Sequence, residues 1–265
     1  MKTRNWLAVA LGVVAIVFLN CISPETGPGI PQNLALAAGA DGISVVLTWQ
    51  APTETVDGYN IYFRTTTSGA GAKIGSTAAG TLTYTDAGSQ KAGYYYVTSY
   101  TGVTESDKSN EVDDTPAEGT GQTVYEWKGV GSSGYGWNTA GTGSVYSWAQ
   151  GDAADIFLYG GDTAPGIDPM QIMSANENPW GGGRVSGILD QGGSTTWDSE
   201  TQAPEIGAGL YYNWENAVNG HIYFLATTEN YCVKIQITDV GGSYPDRSIT
   251  FKYAFQKLGP KFYLF

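Results

Sequence analysis

The chain is written almost throughout as short runs of β-branched and aromatic residues cut by Gly, Asp, Ser and Pro, and no stretch of useful length carries a helical period. From residue 31 the runs "NLALAA", "ISVVLTW", "GYNIYF", "LTYTD" and "YYYVTSY" follow one another at strand length. After residue 123 the pattern resumes with "ADIFLYGG", "HIYFLATT", "YCVKIQITDV" and "SITFKYAFQ". Strands at this spacing predict antiparallel sheets packed face to face, so the fold class expected is all-β. A length of 265 residues exceeds one ordinary domain and predicts two of them.

Residues 1–20 stand apart. Lys2 and Arg4 precede an apolar run from Trp6 to Leu19. At about 1.5 Å per residue it reaches about 21 Å, short of a hydrocarbon core of about 30 Å, so a secretory signal is expected rather than a span. It ends in "VFLNCIS", which resembles the lipobox of bacterial lipoproteins, with Phe18 and Asn20 departing from the usual residues. The resemblance implies cleavage before Cys21, lipidation of Cys21 and attachment to the bacterial cell envelope. Each buried methylene of the lipid contributes about 0.8 kcal/mol. Ile22 lacks the aspartate associated with inner-membrane retention, which favours the outer membrane. Residues 21–30, rich in Pro and Gly, read as a tether.

Residues 31–116 form the first expected domain. Its segments "PQNLALA", "VVLTWQAP", "VDGYNIYF", "YTDAG" and "YYYVTSYTGVTESDKSNEV" resemble a fibronectin type III domain in content and order. The resemblance implies a β-sandwich with Trp49, Tyr59, Ile61, Phe63, Tyr95 and Val97 as packing residues, and a role as spacer or protein-contact module. No Arg-Gly-Asp is present. The stretch 113–123, "DDTPAEGTGQT", is acidic, bears Pro and Gly and lacks large apolar side chains, and 117–123 within it is expected to be a linker.

The second expected domain covers 124–265. In "YCVKIQITDV" Tyr231, Val233, Ile235 and Ile237 alternate with Cys232, Lys234, Gln236 and Thr238, as in a strand with one solvated face. Ile249, Phe251, Tyr253 and Phe255 supply a matching face, and the two runs are expected to pair across "GGSYPDR". "GHIYFLATTENYCVKIQITDV" with "SITFKYAFQ" resembles the last strands of the HmuY family, whose members are haem-binding lipoproteins. The resemblance makes haem the candidate cofactor. Thioether and imidazole donors for its iron in the mature chain are limited to Met170, Met173 and His221. His221, inside a strand motif, also reads as a structural hydrogen-bonding residue, and the methionines as core fillers.

A second binding surface is suggested by Tyr135, Trp137, Tyr146 and Trp148 around a Gly-rich turn, with Trp180, Trp197, Tyr211, Tyr212 and Trp214 on further loop-like stretches. Flat rings on a β scaffold suit sugar faces or protein hot spots, and rings of this size also fill cores.

Catalysis is disfavoured by subtraction. One histidine, a Cys232 inside a strand, and no G-x-S-x-G, H-E-x-x-H or phosphate loop leave only a carboxylate pair, for which Asp190, Asp198 and Glu200 are candidates. Neither a metal site nor a disulfide framework is expected. With 25 acidic against 13 basic residues the chain repels phosphate backbones, so nucleic acid is not an expected partner. The tail "KFYLF" is expected to be an edge strand or a frayed end, or a donor strand for a partner. The expected function is that of a lipid-anchored, non-enzymatic binding or scaffold protein, with an envelope protein, haem or a glycan as its partner.

Overall fold

The computed structural model describes residues 27–87, 91–177, 184, 186–207 and 209–265. Cys21 and Trp180 lie outside them. The described chain is nearly all β, with 45% of residues in strands and 4% in helix. Among the described residues helix is confined to two short 3-10 segments, Trp148–Ala153 and Ala175–Glu177.

Eight strands build the first domain: β1 (Gln32–Ala38), β2 (Val45–Gln50), β3 (Gly58–Arg64), β4 (Ala72–Ala78), β5 (Thr83–Asp86), β6 (Tyr94–Thr101), β7 (Thr104–Glu105) and β8 (Val112–Asp113). One sheet has the order β1-β2-β5 and the other β4-β3-β6-β7, with β8 also on β6. Period-two alternation sends Val45, Leu47 and Trp49 from one sheet, and Tyr59, Ile61, Tyr95 and Val97 from the other, into a shared core. Trp49 meets Tyr59 edge to face at 5.4 Å, a favoured geometry for aromatic quadrupoles. The expected sandwich is therefore present, with its expected packing residues.

The second domain contains β9 (Ala117–Tyr125), β10 (Gly134–Trp137), β11 (Gly143–Tyr146), β12 (Ile156–Tyr159), β13 (Gln171–Ser174), β14 (Gly187–Gly192), β15 (Trp214–Asn216), β16 (Ile222–Ala226), β17 (Cys232–Gly241) and β18 (Ser248–Phe255). They form two five-stranded sheets, β11-β10-β12-β13-β15 and β14-β16-β17-β18-β9. Residues 117–123, expected as a linker, are the start of β9. That strand pairs with β18 from Ala117↔Phe255 to Tyr125↔Ser248. Its Thr, Gly and Gln residues gave no apolar period because β9 is an edge strand whose stability comes from the backbone ladder.

β17 and β18 pair as expected, with Val233, Ile235, Ile237, Ile249, Phe251, Tyr253 and Phe255 facing the opposite sheet. The other face of β17 is solvated only toward its far end, where Gln236 is half-buried and Thr238 exposed. Cys232 is fully buried and Lys234 only 4% exposed, because Trp197, Ala203, Ile206, Tyr211 and the segment 262–265 cover that part of the sheet. Burial pushes the Cys232 thiol up to about 12, so it is an inert packing group at neutral pH.

The tail is neither edge strand nor frayed end. Phe262 and Leu264 enter the core of the first domain, while Tyr263 and Phe265 pack with Phe224, Cys232 and Ala254 on the second. The Tyr263 N–H donates to the Gly42 carbonyl at 2.8 Å, and the N–H groups of Ala203 and Phe265 donate to Tyr263 and Thr201 at 2.8 Å each. Gly42 has φ +74°, and a Cβ there would sit 2.3 Å from the Lys261 carbonyl oxygen, so only glycine fits. The buried Gln256 amide donates to the carbonyls of Leu264 (2.6 Å) and Asp114 (3.0 Å), tying the tail to the domain junction.

Two outcomes follow. Phe262→Ala should destabilise the chain by about 3–5 kcal/mol in urea unfolding, because a fully buried ring is lost from the first core; a loss below about 1 kcal/mol would remove the tail from that core. Asp114 is fully buried, and only Oδ1 is hydrogen-bonded, by the Gly93 N–H at 2.6 Å. Burial raises its carboxyl to about 6 from 3.8. The folded state thus holds the proton longer, so this group's contribution falls as pH rises from about 4 to about 6. Asp114→Asn should melt higher than the parent at pH 7, and the gap should close below about pH 4 in thermal melts across that range.

Candidate functional site

Two candidate binding features lie on the second domain. The first is a strip of chain that crosses between its two sheets. Tyr212 exchanges two backbone hydrogen bonds of 2.8 Å with Ile188 in β14, and two residues later Trp214 pairs with Met173 in β13. Alternation along this extended segment turns Tyr211 toward the packed outer face of the sheet and leaves Tyr212 and Trp214 outward, 57% and 48% exposed. Beside them the Asn213 amide donates to Glu177 Oε1 at 2.8 Å, and Asn176 reaches the same oxygen at 3.4 Å. Glu177, Tyr211, Tyr212, Asn213, Trp214 and Glu215 enclose a shallow depression of about 540 Å³. Two rings with a carboxylate and an amide at their margin can stack on a flat ligand face and accept or donate hydrogen bonds at its edge.

The second feature is polar. His221 Nδ1 lies 2.9 and 3.1 Å from the two oxygens of Asp190, whose strand has a bulge between Asp190 and Gly192. Glu215 approaches from β15, and burial followed by the Asp190 charge raises its carboxyl above the ordinary value. Tyr223 completes the group: its hydroxyl donates to the Asn216 carbonyl at 2.6 Å and accepts from the Val218 N–H at 2.9 Å. The histidine is thereby held by a carboxylate, as a structural hydrogen-bonding residue would be.

The methionines do not converge. Met170 is 3% exposed and shares the inward face with Ile172, whereas Met173 points to the opposite face of β13. An odd separation along a strand reverses the side-chain direction, so these two sulfurs cannot flank one iron. Among the described residues no group of three or more His, Cys, Asp and Glu is placed to hold a metal ion.

The aromatic surface also differs from expectation. Tyr135 and Trp137 are core residues, 1% and 3% exposed. Tyr135 meets Phe251 edge to face at 5.1 Å, and Trp137 meets Tyr253 at 5.5 Å. Tyr146 is half-buried against Ala154, Phe157 and Ala175, and Trp148 alone of that set is exposed, at 45%. A Gly-rich stretch needs large rings to fill its core, and these two strand aromatics do so. The alternation in "GLYYNWEN" was the signal for the exposed pair, masked by its lack of β-branched neighbours. Asp190 is engaged with His221, whereas Asp198 and Glu200 sit in the segment covering the outer face of β17, so the sequence-derived carboxylates belong to separate places.

No known protein family and no curated protein matches the chain. Among solved structures it is similar to an Fn3-like protein from Clostridium thermocellum, at 26% identity over 33% of this chain and 92% of that one, with a TM-score of 0.31. It is similar to the FN5 domain of Drosophila Lar at 19% identity, over 32% of this chain and 92% of that one, with a TM-score of 0.26. A structure of titin kinase and its flanking domains shares 11% identity over 85% of this chain and 37% of that one, with a TM-score of 0.30. At these TM-scores none of them bears on function.

Met170→Ala should cost about 2–5 kcal/mol in denaturant unfolding, as deletion of a buried side chain does, and Met173→Ala less than about 1 kcal/mol. Any Soret shift on haemin titration should be the same for the double variant as for the parent; loss of the shift in the double variant would restore methionine ligation.

Proposed function

We propose that this chain is a lipid-anchored, non-enzymatic binding protein of a bacterial envelope, its second domain engaging a ligand or partner through the Tyr212–Trp214 face. The single observation that carries the reading is the exposure of two large rings, two residues apart, on a strand fixed to both sheets. Exposed aromatics held rigidly supply contact area with little loss of side-chain entropy. The anchor rests on the signal architecture and Cys21, and outer-membrane placement on Ile22. The fibronectin type III-like domain serves as spacer or protein-contact module.

The HmuY resemblance supports a binding role for the second domain, since its motif strands are the adjacent β16, β17 and β18. Haem ligation through Met170 and Met173 is not part of this proposal. For ligand class, the side-by-side rings favour a glycan. Both line one shallow depression, and the adjoining Glu177 and Asn213 offer an acceptor and a donor to hydroxyls. Cys232 is no catalytic nucleophile in this reading, being buried with its thiol pushed up to about 12.

Retention on insoluble polysaccharides, compared between the parent and Trp214→Ala, tests the face. Binding reduced at least tenfold in a variant with unchanged melting temperature is the expected result. Retention of the parent and variant to the same extent would reject the face, and no retention on any glycan would reject the ligand class. Incorporation of labelled palmitate that disappears in Cys21→Ser tests the anchor independently.

A further inference from the structure

Between the two domains lies a crevice of about 570 Å³, within the range of small-molecule sites. The first domain contributes Thr65, Lys91 and Tyr94 to its lining, and the second contributes Glu118, Trp197 and Lys234 among others. The Lys234 side chain is the unusual member. It is 4% exposed, and its Nζ donates to the carbonyls of Trp197 (3.1 Å) and Glu200 (2.9 Å). It also lies 4.2 Å from the Trp197 ring centre and 5.3 Å from that of Phe265. No carboxylate among the described residues comes within 4.0 Å of it. Buried charges are ordinarily paired, and this ammonium has dipoles and rings around it but no carboxylate in direct contact, the charges of Glu118, Asp198 and Glu200 acting on it from farther away.

We propose that the crevice binds a small monocarboxylate whose carboxylate pairs with the Lys234 ammonium. Two carbonyl bonds leave one of its three N–H donors for the ligand. Glu118 and Asp198 in the same lining disfavour a dianion such as phosphate, while Thr65, Thr67, Thr115 and Thr201 offer hydroxyl partners to a ligand bearing its own hydroxyls. Trp197 and Phe265 flank the ammonium and exclude water from the pair, which strengthens it. Burial lowers the Lys234 ammonium to about 8, with Glu118, Asp198 and Glu200 opposing and Lys252 adding to the effect. An anion that requires the charged form is therefore bound with proton uptake above about pH 8, and its affinity falls by up to about tenfold per pH unit beyond that point.

Isothermal titration of the chain from Cys21 onward with acetate, lactate and gluconate, in two buffers of different protonation enthalpy at about pH 9, reads both quantities. Saturable binding with proton uptake in the parent is expected. Lys234→Met, which keeps the volume and removes the charge, should stay folded by circular dichroism and lose affinity at least tenfold. Absence of binding by all three carboxylates, or equal binding by Lys234→Met, would overturn the proposal. Inorganic phosphate binding as tightly as the carboxylates would overturn the ligand class.

Discussion

The interaction on which the arrangement of this molecule depends is the insertion of residues 262–265 between two domains. A strand-like segment has two faces and a period of two. Phe262 and Leu264 use one face to complete the first core, and Tyr263 and Phe265 use the other to cover the outer face of β17 and β18. The four side chains are 0–8% exposed, so they bury nearly all of their apolar area and each contributes on the order of 1.5–3 kcal/mol before entropy is counted. The same four residues thus fasten the domains and seal a sheet face that would otherwise meet water.

That sealing explains where reading by pattern succeeded and where it did not. In β17 the inward set Val233, Ile235 and Ile237 was legible because alternation is a property of the strand itself. The burial of Cys232 and Lys234 was not, because it depends on a covering segment more than twenty residues away in sequence and on a tail with no periodic signal of its own. β9 was missed for a related reason: an edge strand paired on one side can be built from Thr, Gly and Gln. Trp49, Tyr59 and Tyr95 were legible because they occupy the packing positions of a recognisable sandwich. The aromatic face was half legible. Exposure separates Trp214 from Trp137, and sequence alone gives composition and spacing without saying which side of a sheet another layer covers.

Polar groups at the domain junction are held to the same logic. Asp114 sits where the first domain meets β9, and its Oδ1 accepts the Gly93 N–H while its carbonyl accepts from Gln256. Glu126, fully buried, meets Arg247 Nε at 2.7 Å, and Arg247 continues to the carbonyls of Ile167 and Gly160 at 2.6 Å each. The guanidinium therefore stitches β18 to the chain between β12 and β13 with geometry a lysine could not reproduce. Such ties add little net stability over an apolar packing of equal volume, but removing one partner would strand a charge. Their use lies in fixing how the elements meet.

Rigid attachment is also what separates the Tyr212–Trp214 pair from the other exposed aromatics. Trp148 begins a short 3-10 segment outside both sheets. Tyr212 is bonded to β14 and Trp214 to β13, so the backbone beneath the two rings is locked to both layers of the sandwich. A binding face that is ordered before the ligand arrives loses less entropy on association, and the gain appears as affinity without any added contact. The lysine-floored crevice reaches the same end by a different route. Its walls are set by the tail, so the geometry around Lys234 is fixed by the packing that joins the domains, and any ligand there would stabilise that junction in proportion to its concentration over its dissociation constant.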